Sequence, residues 1–320
     1  MKKFVYIYFP ETIEELKQIF PIGRFLPQSM FRLLFVNQKP FKLANLSKDY
    51  SLNSNWLKGH FIVCPLVANS KDSSYVYKRF VQALELAQGF GPSVIGLSKF
   101  VPAIFKNLQE LKKMAHASIT SGSVLGAWSA FEAVYRIAKH KKLDLSKLSV
   151  AVLGADTPAG SLFARKISAF VPRLTICASS SDKLTSLKQN IADLNKAEVK
   201  LSTDPNAAVK SANIIVTFNP EIDFNLNRIG KDTIICSLKK LPDYTKMYPD
   251  LVFIQAGHVK LPYSREIVST SLAEAMLLTI ENGFMNLIPS ENINLDNLED
   301  IANMAARHQF EIWVPQAPII

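Results

Sequence analysis

The chain has 320 residues, 48% of them hydrophobic and 20% charged, which fills a core in two ordinary domains or one large one and excludes a disordered or fibrous protein. Only 12 glycines, 17 prolines and 3 cysteines rule out low-complexity character and a disulfide framework, and point to a reducing, cytoplasmic setting. Lys and Arg number 37 against 27 Asp and Glu, a net charge of +10 that admits nucleic acid, an anionic membrane or a phosphate-bearing or acidic partner.

The start, MKKFVYIYFPE, is too short an apolar run for a signal peptide and reads as an edge strand at Phe4–Phe9. Further strands are expected at Phe31–Val36, Phe61–Val67 and Ser93–Leu97, rich in aromatic and aliphatic residues. Ser74–Gln88 reads as a helix with Tyr75, Phe80, Leu84 and Ala87 on one face, and Pro102–Met114 as a helix with proline in its first turn. The polar stretch Ser118–Ser123 is the expected hinge. Met114–Phe131 is the longest stretch without a charged residue. His116, Thr120, Gly122, Gly126 and its serines make it wrong for a membrane span, so a soluble protein is expected.

Beyond the hinge, Val124–His140 carries Leu125, Trp128, Phe131 and Tyr135 at helical spacing, and its basic end, Lys139 to Lys142, suits a helix C-terminus. Strands then alternate with helices: strands at Ser149–Leu153, Leu174–Ala178, Glu198–Leu201, Asn213–Phe218, Thr233–Ser237 and Leu251–Gln255, helices at Ser161–Phe170, Asp182–Leu194 and Pro205–Ser211. That alternation predicts an α/β fold with a doubly wound parallel sheet in the C-terminal half. Two helices, Thr270–Asn282 and Asp296–Arg307, close the chain. The expected domains are 1–122, an N-terminal α/β substrate domain; 123–268, a nucleotide-binding domain; and 269–320, C-terminal helices packing back.

The sharpest local signal is SVAVLGADTPAGSLFARKI, residues 149–167. A strand runs into Gly154, and Gly160 opens a helix whose amides point back at the turn, which makes a site for a dinucleotide pyrophosphate. Gly154, Ala155, Thr157, Ala159 and Gly160 are the candidate binding residues. Thr157 stands where a middle glycine is usual, either crowding the phosphate or donating its hydroxyl to it. A structural tight turn is the alternative. At the end of the next strand, Ser179, Ser180 and Lys183 suit a 2′-phosphate, which favours NADP over NAD, with Asp182 read otherwise as an N-cap. Asn219 and Gly257 sit at strand C-terminal ends, where open parallel sheets bind ligands. Cys177 and Cys236 read as core residues and Cys64 as a buried strand end, and the five histidines show no metal-ligand spacing.

Several segments resemble the long-chain acyl-[acyl-carrier-protein] reductases of cyanobacteria, which share architecture with shikimate dehydrogenase and glutamyl-tRNA reductase. They are Ala87-Gln88, Phe105 to Asn107, Thr120 to Ser123, Leu145 to Gly160, Ser271 to Leu278 (SLAEAMLL) and Ala306 to Phe310 (ARHQF), within residues 55–310. The resemblance implies a two-domain reductase in which NADPH delivers hydride to an acyl thioester on a cysteine, with acyl-carrier protein as partner and a fatty aldehyde as product. The position matching that cysteine is Ser271. The family's middle glycine and a nearby arginine are likewise Thr157 and Ser179 here. A serine nucleophile needs a general base, for which His258 is the candidate. Lys99 is a candidate proton donor or carboxylate anchor resembling in role the lysine of shikimate dehydrogenases, although the carboxylate expected near the hinge is replaced by Ser121-Gly122-Ser123. Three functions follow in order: an NAD(P)-dependent oxidoreductase acting on a carbonyl compound, a non-catalytic nucleotide- or lipid-binding descendant, and a shikimate- or quinate-type dehydrogenase. A small-molecule or acyl substrate is expected, with no nucleic acid, no transmembrane segment and an oligomer compatible with the chain.

Overall fold

The computed structural model describes the chain apart from residue 11 and segments 21–24, 32–33, 35–37, 44–47, 53–54, 67–71, 102–103, 105–107, 194–196, 219–223, 239–243, 245, 265, 283–292 and 316–320. The chain is α/β and divides into two compact units, Met1–Gly122 with Ser271–Asn292 and Ser123–Thr270 with Ile293–Ile320. Among the described residues, no helix is long and apolar enough to cross a membrane.

The first unit holds a mixed six-stranded sheet of order β2-β4-β1-β5-β6, with β3 also paired to β4. Strands β1 (Lys2–Tyr8), β4 (Asn55–Val63), β5 (Val94–Leu97) and β6 (Ser118–Thr120) run parallel, while β2 (Phe41–Lys42) and β3 (Lys48–Leu52) run antiparallel to β4. The first strand is therefore not the edge strand expected from its position in the chain but an inner strand between β4 and β5. The physical reason is in its composition: Phe4, Val5, Tyr6 and Ile7 are all buried, so both faces of the strand are covered, as parallel strands require.

One face packs on helix Ser73–Gln88, whose Val76, Phe80, Leu84 and Ala87 meet Val5, Ile7, Ile62, Ile95 and Leu97. Asp72 caps that helix, accepting from the Ser74 and Tyr75 amides. The other face takes helix Thr270–Ile280: a Cβ on Gly96 would lie 2.6 Å from Ala275 Cβ and 3.0 Å from the Tyr6 ring. The strand expected at Phe31–Val36 is not found at its start. Phe31 ends a short helix, Gln28–Phe31, where burial against Leu16 and Val63 outweighs its strand preference; most of the remaining span lies outside the described residues. Within the expected hinge, Ser118–Thr120 pairs with β5, and the boundary between the two units falls after Gly122.

The second unit holds six parallel strands in the order β12-β11-β10-β7-β8-β9, from β7 (Ser149–Leu153), β8 (Arg173–Cys177), β9 (Glu198–Ser202), β10 (Ile214–Thr217), β11 (Ile234–Ser237) and β12 (Val252–Gln255). The chain starts this sheet at β7, builds outward to β9, and returns to β7's other side with β10. The order thus reverses between β7 and β10, the point at which doubly wound sheets bind ligands. Helices Pro158–Ile167, Ser181–Ala192 and Pro205–Val209 make the connections, preceded by helix Ser123–His140. A small antiparallel sheet of order β14-β13-β15, from β13 (His258–Lys260), β14 (Ile267–Ser269) and β15 (Glu311–Trp313), was not legible in the sequence. Of the two closing helices, Ser271 onward belongs to the first unit and Leu295–Arg307 to the second.

Candidate functional site

In the second unit, β7 ends at Gly154, whose φ of 76° is a left-handed conformation that favours glycine. The Gly154 and Ala155 amides donate to Cys177 O at 2.9 and 3.0 Å, tying the turn to the end of β8. Thr157 then closes the turn on itself. Its hydroxyl donates to Gly154 O at 2.7 Å and accepts from Gly160 N at 3.1 Å, making Thr157 the N-cap of the helix, with Pro158 in its first turn. The helix therefore starts at Pro158, ahead of the expected Ser161, and the Thr157 hydroxyl proton expected on a phosphate is spent on the turn. A Cβ on Gly160 would overlap Gly154 O and come 2.9 Å from Thr157 Oγ1, so glycine is required there by the closeness of the turn.

A pyrophosphate fits this place in part. Strand end, sheet reversal and helix N-terminus all favour an anion. The turn's own bonds occupy the amides of Gly154, Ala155, Thr157 and Gly160, and Pro158 has none, which leaves Asp156 and Ala159 to donate. The Asp156 carboxylate opposes an anion at the same turn, as its field on Cys177 registers: burial first, then Asp204 and Asp156, push that thiol up to about 11. Nearby, Ser179 is exposed and Ser180 is the N-cap of helix Ser181–Ala192 without a side-chain capping bond. Asp182, read as a possible cap, lies instead in that helix's first turn.

Gly257, at φ 84°, is fixed by packing: a Cβ would come 2.8 Å from Leu238 O, and its amide donates to Ser129 Oγ at 2.9 Å. His258 opens β13, with Nδ1 donating to Ala256 O at 3.2 Å and its ring edge-on to Trp313. Asn219 lies outside the described residues.

In the first unit, Ser271 is the second residue of helix Thr270–Ile280 and only 6% exposed. Its Oγ lies 2.6 Å from Tyr6 OH and donates to Ser98 O at 3.3 Å. Ser98 is itself fixed at the end of β5, its amide donating to Ile7 O at 2.9 Å and its hydroxyl accepting from Phe9 N at 3.0 Å. Lys99, half-buried, is the next residue. Gly122, at φ 74°, presses the turn after β6 onto the helix start: a Cβ would overlap Ser271 Cα and approach its amide nitrogen to 2.8 Å. One helical turn on, Glu274 is fully buried and accepts from Thr120 Oγ1, which accepts in turn from Gly122 N at 3.2 Å.

The structure thus gathers Ser271 with the Ser98-Lys99 segment and with Tyr6, Thr120 and Glu274. His258, the expected base, belongs to the other unit with the glycine turn. Tyr6 carried no signal in the sequence, being an ordinary strand residue; Thr120 stood in one of the segments that resemble the reductases, and Glu274 is a carboxylate inside the apolar run LAEAMLL. All three cysteines are buried thiols, with burial pushing Cys64 and Cys236 up to about 12.

No protein-family model matches the chain. A curated relative, an aminotransferase named PigE from Serratia sp., is 23% identical over 309 residues, 87% of this chain. The chain spans 35% of that relative's length. Among solved structures, the chain is similar to a 5-ketofructose reductase of Gluconobacter sp., at 12% identity and a TM-score of 0.42 over 97% of this chain and 98% of that one. It is similar to L-tryptophan dehydrogenase from Nostoc punctiforme, at 14% and 0.40 over 95% and 80%. Shikimate 5-dehydrogenase from Listeria monocytogenes follows at 8% and 0.36 over 94% and 96%.

Proposed function

We propose that this chain is an NAD(P)-dependent oxidoreductase that moves hydride to or from a carbonyl compound. The observation that carries the reading is the strand, glycine turn and helix at Gly154–Gly160, standing where the strand order of the second unit reverses. The bound dinucleotide supplies the hydride. In this reading the Asp156 and Ala159 amides and the helix N-terminus hold the pyrophosphate, the Gly154 and Gly160 backbones allow its approach, and Ser179, Ser180 and Lys183 favour the 2′-phosphate of NADP. Gly257, after the end of β12, lines the nicotinamide side. Ser271 and Lys99 serve the carbonyl compound, and the Nδ1–H bond of His258 leaves its Nε2 as an acceptor.

Titration with NADPH and NADH by calorimetry tests this: saturable binding with NADPH the tighter is expected, and no binding of either at millimolar concentration overturns it. The finer reading, reduction of an acyl group delivered by acyl-carrier protein, is supported by the SLAEAMLL and ARHQF segments. A second reading, a non-catalytic nucleotide- or lipid-binding descendant, is favoured by serine at position 271. Aldehyde formation from acyl-carrier-protein thioester by Ser271→Cys, with none from the parent, supports that second reading; turnover by the parent removes it.

A further inference from the structure

The two edges of the parallel sheet in the second unit are built differently. Edge strand β9 reads EVKLS, and its exposed Glu198 and Lys200, paired at 3.4 Å, set charge along the strand. Charge of that kind keeps a lone edge from pairing with another chain. Edge strand β12 lacks the protection: residues 251–256 read LVFIQA, without a charge, a proline or a glycine.

Strand β12 has β11 on one side and, among the described residues, no strand on the other. The Val252 amide donates to Thr233 O at 3.0 Å and the Ala256 amide to Ser237 O at 2.8 Å, so residues 252, 254 and 256 bond towards β11. By the alternation of a strand, Phe253 and Gln255 aim their amides and carbonyls the other way. Among the described residues, no hydrogen bond reaches either of them from that side. An apolar patch continues from this edge. Phe253 packs on Tyr244 at 5.8 Å and Tyr244 on Tyr248 at 6.1 Å, all three half-buried, and Met247 in the same turn is 69% exposed.

We propose that β12 is the contact of a symmetric dimer: it pairs antiparallel with β12 of a second copy of this chain and joins the two six-stranded sheets into one. The two-fold axis passes beside Ile254. Phe253 then exchanges both backbone bonds with Gln255 of the partner subunit, and Gln255 with Phe253 of the partner subunit, while Ile254 stands opposite its own copy. A second copy fits this edge because the edge is self-complementary: the same two residues supply every donor and acceptor, and no like charges meet across the axis. The same operation about the middle of β9 sets Lys200 against its own copy, which repels. Two short strands alone bury less than the roughly 1,200 Å² of a stable interface, so Tyr244, Met247 and Tyr248 supply the rest of the contact. The inference concerns the second unit alone and stands whether or not the chain binds a dinucleotide.

Sedimentation equilibrium of the full chain between about 1 and 100 μM tests it, with a reversible dimer of twice the chain mass expected. Residue-resolved amide hydrogen exchange locates the contact. The Phe253 and Gln255 amides should exchange slowly in the dimer and fast after dilution to monomer, while those of Val252 and Ala256 stay slow in both. Gln255→Pro removes an outward amide that β11 does not use, a change that edge strands tolerate. It should leave the circular dichroism of the chain unaltered and raise the dimer dissociation constant at least about a hundredfold, through the bond lost in each copy.

A monomer across the whole range, an open-ended series of higher masses, or a dimer in which the Phe253 and Gln255 amides exchange fast overturns the proposal. So does a folded Gln255→Pro chain that dimerises as the parent does. A monomer whose edge amides slow only when an extended peptide is added also overturns it, and gives the edge to a foreign strand. Should Gln255→Pro fail to fold, exchange in the parent decides.

Discussion

Gly160 is the residue at which packing leaves least choice. Its Cα faces the Gly154 carbonyl and the Thr157 hydroxyl so closely that Gly160→Ala must push the turn away from the helix. Such overpacking costs about 1–3 kcal/mol. The expected result is a lower urea midpoint together with lost nucleotide binding, the second read by calorimetry at a temperature where the variant is folded.

His60 is buried in the first unit, stacked on Phe90 at 4.5 Å, with Lys42 over that same ring. Burial first, then the charges of Lys42, Lys58 and Lys3, lower its pKa below 6.5 against a smaller opposing effect of Asp49. Above pH 6.5 both folded and unfolded chains hold it neutral. Below that, the unfolded chain binds the proton first, so this contribution to stability is lost as pH falls from 6.5 through the folded pKa. Urea titrations on either side of pH 6.5 should show a smaller acid loss in His60→Phe, which keeps the ring stack, than in the parent; equal losses would remove the argument.

The thiols behave with the opposite sign. Cys236, raised from 9.0 to about 12 by burial, favours the folded state below pH 9.0 and loses that contribution as pH rises toward 12. Iodoacetamide in mildly alkaline buffer should therefore spare Cys64, Cys177 and Cys236 in the native protein and label all three in urea.

Among the elements, helix Pro158–Ile167 is held at its start by one side chain. Thr157→Ala removes the acceptor for Gly160 N and should cost about 1 kcal/mol, with Thr157→Ser restoring most of it, both read by chemical denaturation. The strands of the second unit were legible because each is a short apolar run bounded by turn residues and followed by a helix, so local pattern and tertiary role agree. In the first unit they disagree. Strand β1 carries the same apolar run whether it lies at an edge or inside the sheet, and its neighbours β4 and β5 are chosen by contacts far along the chain. The glycine turn was readable for the local reason. The cluster around Ser271 was not, because residues 6, 98, 120 and 274 reach it through pairing between strands and the packing of a distant helix.

For the whole molecule, the dividing line between units matters more than the net charge of +10. Surface ion pairs such as Lys231–Asp250 and Lys200–Glu198 are well exposed and contribute little. The sheet of the first unit, by contrast, is completed by Ser271–Ile280, so the fragment 1–122 lacks the helix that covers Tyr6 and Gly96. That fragment should be expanded and bind the dye ANS, and a peptide of residues 270–282 should reduce the dye signal; a compact 1–122 with dispersed NMR signals would contradict this. Strands β7 to β12 all lie between residues 149 and 255, so the fragment 123–315 should keep its sheet.

The contact of Tyr6 with Ser271 spans 265 positions of sequence. At about 5–20 residues per second, a ribosome that has made β1 takes roughly a quarter of a minute to a minute to deliver its partner. In that interval the parallel sheet of the second unit is synthesised in full, while one face of the first sheet waits uncovered. Synthesis order thus makes the strands of the first sheet the segment most in need of a chaperone, although they are made before the second unit.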